Sequence, residues 1–545
     1  NRTFFFADYQ GTRYRRGEVN FFSLPTEAQR SGDFTRTFNE TGALVTIYDP
    51  LTTRTEAGQM VRSVFPGNRV PSNRIDGATR KAMDYYPQPT IAGDRFTGFN
   101  NFVSNASRAI DENQISARVD HQVNSNYRLF GRFAANNTAL TQPNSFGNIA
   151  TPDTGSVGKT AMNQRSFSFG NTITLSPTTL LDVRYGFARW YQLRQTLSYG
   201  FDQRTLGLPD SLVRQLQIPA FPNTTVEQYS SLGGQSYLLN GNDTHTVLAS
   251  ITHARGRHTF KTGIDIRLRR INFFNSGNPA GTYAYNRNFT RGPDPNRFYA
   301  DSGSGIASML LGSAATGSIP YVAGVSIQNL YYAGFFQDDI RLAKNLTLNI
   351  GLRYETESPY DERRNQINWF DTNIPSPVKN SQFPNLTGGL RFAAVDGNGR
   401  YVYQWDKNNI APRVGLAYTL TPRTVIRAGA GVFYAPLDIT TNAVGSTPSA
   451  GYSSTSPMLA SLDGGFTPNR SFSNPFPEGL LQPSRNSLGA STFLGQAPAV
   501  WDDHAVNGAT YQWNFDVQRQ IGRDFLPDRC CLCRQPRRPS CVSQS

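Results

Sequence analysis

Leu346-Thr-Leu-Asn-Ile-Gly-Leu-Arg-Tyr-Glu355 decides the fold. Leu346, Leu348, Ile350, Leu352 and Tyr354 fall on one face, and Thr347, Asn349, Gly351, Arg353 and Glu355 on the other. Period two is a strand signal, because successive strand side chains point to opposite sides of a sheet. Length adds a second constraint. Soluble strands run about five or six residues, whereas about ten residues at roughly 3.3 Å each, tilted near 45°, project to about 23 Å, close to the apolar height of an outer-membrane barrel.

The same unit repeats on both sides of that stretch. Its partner runs from about Leu330 to Arg341, with Leu342-Ala-Lys-Asn345 as the turn. Ile115 to Val123 turns at Asn124-Ser-Asn126 into Tyr127, Leu129 and Phe133, and Ser166 to Leu175 turns at Ser176-Pro-Thr178 into Leu181 to Phe187. Thr246 to His253 turns at Arg255-Gly-Arg257 into Phe260 to Leu268, and Ile410 to Leu420 turns at Thr421-Pro-Arg423 into Val425 to Tyr434. A further strand carries Tyr511, Trp513, Phe515 and Val517. Asn, Ser, Pro and Gly sit where turn geometry wants them.

Between these hairpins lie long segments near 136 to 164, 197 to 243, 274 to 327, 357 to 408 and 436 to 508, rich in Gly, Pro, Asn, Ser and Thr. Repeated long irregular loops argue against a compact soluble domain, but short turns alternating with long external loops are the rule in outer-membrane barrels. Trp190-Tyr191, Tyr331-Tyr332, Tyr354, Phe433-Tyr434, Tyr511 and Trp513 lie towards strand ends and are expected to form interface girdles. The expected fold is all-β: an antiparallel transmembrane barrel of the outer-membrane type, incomplete, with roughly a dozen strands and long external loops.

Composition agrees. Of 545 residues, 12% are aromatic, 38% hydrophobic and only 17% charged. A disordered chain has fewer aromatics and usually more charge. The most apolar runs, Ile306 to Gly312 and Leu330 to Phe336, fall far short of the roughly 18 residues a membrane helix needs. Transmembrane strands alternate, so a mean hydropathy of −0.46 does not exclude them. The net charge of +14 comes mostly from Arg spread along the chain, with no basic run before the extreme C-terminus, so nucleic acid is not an expected partner.

No catalytic or cofactor motif emerges. Asp153-Thr-Gly-Ser-Val-Gly-Lys-Thr160 has Asp where a phosphate-binding loop needs its first Gly. Gly429-Ala-Gly431 lacks a third Gly and lies in a strand, where small residues suit tight packing or a flexible inward face. Ser302-Gly-Ser-Gly305 is not a nucleophile elbow. The five His, at 121, 245, 253, 258 and 504, make no metal-binding pair; His253 and His258 flank a turn and read as solvated, as does the acidic pair Asp338-Asp339. The expectation is no enzyme, no catalytic, cofactor or metal site, and no resident cofactor.

All four cysteines, Cys530, Cys531, Cys533 and Cys541, fall in the last 16 residues. A metal knuckle is one reading, but a second ligand pair at zinc spacing is missing. A shifted reading frame over 527–545 is the favoured one. The chain opens on Asn1-Arg-Thr-Phe4 without Met or an apolar leader, as a piece of a longer reading frame would.

Tyr332-Ala-Gly-Phe-Phe-Gln-Asp-Asp-Ile-Arg341, followed by Asn345 to Glu355, resembles the barrel of TonB-dependent outer-membrane receptors. Thr3 to Gly11, Ser31-Gly-Asp-Phe34, Ile47-Tyr-Asp-Pro50, Phe65-Pro-Gly-Asn-Arg-Val-Pro-Ser-Asn-Arg-Ile75, Asn409 to Gly415 and Tyr511-Gln-Trp-Asn514 resemble the Oar-like TonB-dependent transporters over about residues 1–526. That resemblance implies a barrel of about 22 strands, an N-terminal regulatory-like β domain and a plug that engages TonB. The plug, the regulatory domain and the last strands are expected outside this sequence, leaving residues 1–526 as a partial barrel. An open arc in lipid would leave unpaired backbone at both edges, so the piece alone is not expected to insert.

The implied function is energised uptake across the outer membrane of a Gram-negative bacterium. External loops would bind an unknown ligand, the wall would face outer-membrane lipid, and the TonB complex would act through the plug. Arg353 with Glu355 and Arg118 with Asp120 would line the lumen. Surface adhesion without transport is the alternative, and a secreted soluble β-rich enzyme a second.

Overall fold

The computed structural model describes residues 2–152, 158–234, 236–435, 449–497, 504–521 and 528–532. Its frame is one antiparallel sheet whose strands pair in chain order. They are β1 (Thr3–Phe22), β2 (Phe102–Asn124), β3 (Tyr127–Thr141), β4 (Lys159–Ser176), β5 (Thr179–Gln195), β6 (Ser236–Arg255), β7 (His258–Gly277), β8 (Val325–Ala343), β9 (Leu346–Glu357), β10 (Asn409–Thr421), β11 (Thr424–Ala435), β12 (Gly508–Arg519) and β13 (Asp528–Leu532). β1 and β13 are the two edges of this arc. No helix among the described residues is long and apolar enough to cross a membrane.

Two-residue turns at Ser125-Asn126, Pro177-Thr178, Gly256-Arg257, Lys344-Asn345 and Pro422-Arg423 close the hairpins at one end. Gly256 takes φ 61°, the left-handed conformation such tight turns favour. Every long connection leaves from the other end. Each sequence-predicted hairpin is present, but the strands are longer than expected, up to 23 residues in β2. They run on into stretches read as loop, such as Ser236-Tyr-Leu-Leu-Asn-Gly-Asn-Asp243 at the start of β6. Beyond the lipid both faces are wet or covered by protein, so the ladder continues while the period-two pattern fades.

Register assigns the two faces. Phe133, Phe167, Phe187, His245, Leu268 and Leu330 are successive cross-strand partners and share one face. Tyr332 of β8 lies on that same face, as do Leu348, Ile350, Leu352 and Tyr354 of β9. On β7 this apolar face runs from Phe260 to Leu268 through Thr262, Ile264 and Ile266. The opposite face carries Arg118, Asp120, Asp265, Arg267, Arg353 and Glu355.

That assignment corrects the girdle. Tyr332, Tyr354, Tyr434, Tyr511 and Trp513 are on the apolar face, whereas Trp190, Tyr331 and Phe433 point the other way. Tyr331 is buried in a polar cluster. Adjacent aromatics in a strand cannot both face lipid, because the side-chain period is two.

The long connections are folded, which the sequence reading did not anticipate. Residues 23–101, 142–150, 196–232, 278–324 and 458–476 contribute to one core that includes Phe34, Ile47, Phe65, Phe221, Tyr283, Ile306, Leu310 and Phe472. A five-stranded sheet runs through it, with Thr282–Tyr285 at its centre between Asn223–Val226 and Thr316–Tyr321. The run Ile306 to Leu310, too short for a membrane, is a wholly buried helix, Gly305–Leu310. A second core gathers Val325, Ile327, Tyr360, Ile367 and Val402. The chain's main hydrophobic core therefore lies in a cap at the loop end, since the sheet turns its apolar face to lipid.

Candidate functional site: the inner face and its cap

The cap is knotted by the segments that carry the family resemblance. Asn68 accepts a hydrogen bond from the Ile47 amide at 2.8 Å and donates to the Phe34 and Val45 carbonyls at 2.9 Å each. Asp33 meets Arg69 at 2.9 Å, and Arg74 meets Asp49 through two bonds of 2.8 Å. Ser31 to Phe34, Ile47 to Pro50 and Phe65 to Ile75 thus converge on one point. Two bonds from Thr35 and then Arg69 hold the Asp33 carboxyl down at about 2.

Arg62 ties this knot to two other connections. It is 4% exposed, donates to the Asn288 and Arg291 carbonyls at 2.8 and 2.9 Å, and also to Phe466. Burial lowers its guanidinium to about 10. Asp76 caps the helix Gly77–Met83 by accepting from the Ala78 and Thr79 amides, and accepts from the Ser473 amide as well. Polar side chains that bond backbone from several connections fix their relative positions without needing regular structure between them.

Below the cap, the inner face holds a charge network centred on Arg353. Its guanidinium lies 2.9 Å from Glu355 and 3.1 Å from Asp265, and donates to the Tyr331 hydroxyl at 2.9 Å. The Tyr331 hydroxyl in turn donates to Glu355 at 2.6 Å. Arg267 pairs with Asp265 at 2.7 Å, and Arg269 with Glu357 at 2.8 Å. Arg267 and Arg269 both stand over the Tyr331 ring, 5.0 and 6.0 Å from its centre. Three cations thus balance three carboxylates on β7 and β9, on either side of Tyr331 of β8, and a cavity of about 190 Å³ opens beside them.

The second expected inner-face pair is also formed, with Arg118 2.6 Å from Asp120 and over the Phe130 ring at 4.4 Å. Gly429 and Gly431 lie on the same face. A Cβ at Gly429 would stand 2.6 Å from the Asn514 side chain, so the small residue makes room for a polar neighbour. Sequence spacing exposed the i, i+2 pairs but not the cross-strand partners Asp265 and Tyr331, whose placement needs the register of β7, β8 and β9.

Other singled-out residues have structural partners. Ser302 Oγ both donates to the Gly292 carbonyl and accepts its amide, at 2.7 Å each, which closes a loop within the connection 278–324. The imidazoles are dispersed: His121 bonds Thr3, His245 bonds Tyr185, His253 bonds Thr179 and His504 contacts Gln404. Asp338 and Asp339 are not solvated as expected; Asp338 pairs with His258 at 2.7 Å and Asp339 accepts from Gln337 and Asn349. Among the described residues no three His, Cys, Asp or Glu gather as a metal site. Asp153 to Val157, Cys533 and Cys541 lie outside the described residues.

Two larger cavities open where β6, β7 and β8 meet the cap. One, of about 680 Å³, is lined by Phe274, Tyr321, Arg363, Arg364, Tyr452 and Arg485 among others. The other, of about 530 Å³, includes Arg270, Asp361, Arg363 and Arg400.

No curated protein matches the sequence. Among solved structures the chain is similar to the copper transporter OprC (11% identity, TM-score 0.34, covering 77% of this chain and 47% of that one). It is also similar to the ferric yersiniabactin uptake receptor FyuA from Yersinia pestis (8%, 0.34, 77% and 44%) and the siderophore receptor PirA from Acinetobacter baumannii (9%, 0.35, 92% and 68%). The chain spans about half the length of the first two. The profile of the outer membrane beta barrel domain matches residues 1–528, nearly the whole sequence, in agreement with an antiparallel sheet of membrane-length strands with one apolar and one polar face. The chain belongs to the outer membrane beta barrel domain family, and its place is the cell outer membrane.

Proposed function

We propose that residues 1–526 are the wall and cap of an outer-membrane transporter, non-enzymatic in itself, through which a ligand held by the cap is taken up at the expense of energy from the TonB complex. The observation that carries this reading is the balanced Arg353 network on the lumen face beneath a folded cap. A wall that only anchors an adhesin gains nothing from gathering three cations and three carboxylates inward, since desolvating charge costs free energy. A transport path needs a polar lining that a mobile plug can contact and leave. The stretch 527–545 is proposed as a shifted frame; finding a continued strand pattern in another frame of the gene supports that.

The test uses the full-length protein in its own outer membrane. Cells are offered labelled ferric chelates, copper(II) and oligosaccharides, with and without TonB. TonB-dependent accumulation that disappears with the gene is the expected result. Surface binding that persists without TonB and brings nothing inside would overturn transport in favour of adhesion.

A further inference from the structure

Arg165, Arg189, Asp243, Arg270, Gln328 and Asp361 are successive cross-strand partners from β4 to the short bridge beside β8. They occupy the row next to Phe167, Phe187, His245, Leu268 and Leu330 on the lipid side of the sheet. On five neighbouring strands the outward face therefore changes from apolar to polar at one register step, on the cap side. The cavity of about 530 Å³ opens at this step, against Asp243, Arg270, Gln328, Asp361, Arg363 and Arg400.

The charges there do not balance. Asp243 is taken by Arg189 through bonds of 2.6 and 2.8 Å, and Asp361 faces Arg400 at 3.2 Å. Among the described residues, Arg270 and Arg363 have no carboxylate within ion-pair reach, and Arg165 bonds only neutral oxygens of Asn136, Gln164 and Asn137. Uncompensated guanidiniums beside an apolar belt suit an anionic oxygen group that lies at the edge of the hydrocarbon, because the planar fork takes phosphate oxygens in pairs. Apolar Leu268 and Leu330 just below offer a surface for acyl chains. A transported ligand would travel on the opposite face, so this pocket is not on its path.

We propose that this pocket binds the phosphate of an outer-leaflet glycolipid headgroup. The bound lipid would seal the join between the wall and the cap.

The full-length protein, purified from the outer membrane and placed in nanodiscs, tests this with a bis-phosphorylated glycolipid and its dephosphorylated form as probes. Native mass spectrometry is expected to show selective retention of the phosphorylated lipid. Arg270→Gln with Arg363→Gln should cut that retention by about tenfold or more, because each cation removed weakens the hold on an anionic headgroup. Arg270→Lys with Arg363→Lys, a milder change, should retain most of it. Arg364→Gln with Arg485→Gln, which line only the neighbouring cavity, should leave it unchanged. Equal retention of both lipids, no loss in the first double variant, or equal loss in the last would overturn the proposal. Displacement by millimolar inorganic phosphate would assign the pocket to free phosphate instead and overturn it too.

Discussion

The Arg74 guanidinium and the Asp49 carboxylate meet face to face, Nη1 to Oδ2 and Nη2 to Oδ1 at 2.8 Å each, with the carboxylate mostly shielded from water. Asp49 also accepts the Leu51 amide, so the pair fixes the chain after Ile47-Tyr48 against the one ending at Ile75. Its hydrogen bonds raise Arg74 above the ordinary guanidinium range. A double-mutant cycle with Arg74→Met and Asp49→Asn, read by thermal unfolding of the cap, should give a coupling of about 1 kcal/mol, above the typical exposed pair. Additive single effects would show that the pair is incidental.

Asn68 should be the most sensitive residue of the knot. It sits at φ 55°, where Ala is strained, and its side chain serves one buried amide and two carbonyls. Asn68→Ala leaves those groups unsatisfied at about 1 to 3 kcal/mol each, enough to open the segment 31–75 to limited proteolysis. Protease resistance equal to that of the parent would contradict the convergence of the three motif segments.

The knot should also weaken in acid through Asp33. Its folded value of about 2 lies below the ordinary aspartate value near 3.9, so its contribution is complete above that ordinary value and is lost as pH falls towards 2. Protection of residues 31–75 from an acid-active protease should therefore fall between about pH 4 and pH 2. Asp33→Asn should flatten that part of the profile, and an unchanged profile would remove Asp33 as the cause.

Arg353 holds two carboxylates that otherwise face each other across β7, β8 and β9. Arg353→Met should destabilise the folded barrel by about 3 to 5 kcal/mol, the cost of stranding a buried charge, read as a lower temperature for loss of the heat-modifiable band. Adding Asp265→Asn and Glu355→Gln should recover part of it. A triple variant no more stable than the single would mean that packing rather than charge sets the cost.

How much of this was legible follows from where water and lipid lie. Leu346 to Glu355 declared itself because one face meets hydrocarbon and the other a polar lumen, and alternation records that contrast directly. β1 carries no such alternation, since Gln10-Gly-Thr-Arg-Tyr-Arg-Arg16 rises above the lipid and lacks the contrast, although its ladder with β2 is continuous. The cap leaves no periodic signal for a different reason. Its core is assembled from single buried residues such as Phe34, Ile47, Phe65 and Phe472, far apart in sequence and joined by side-chain to backbone bonds that no periodicity marks. Arg353 with Glu355 was visible as an i, i+2 pair, while Asp265 and Tyr331 reach it only through register.

The two faces also set opposite tolerances for the same substitution on neighbouring strands. Leu352 is half exposed on the lipid side of β9, and Gln337 of β8 lies on the lumen side among Asp339 and Asn349. Leu352→Arg places a guanidinium in hydrocarbon and should cost about 2 to 4 kcal/mol near the bilayer midplane. Gln337→Arg adds a cation next to the Asp339 carboxylate in a wet lumen and should change stability by less than about 1 kcal/mol. Full-length variants compared by urea titration of the heat-modifiable band measure both. If Gln337→Arg were the worse of the two, the faces would be reversed and the register-based assignment of lumen and lipid would be wrong.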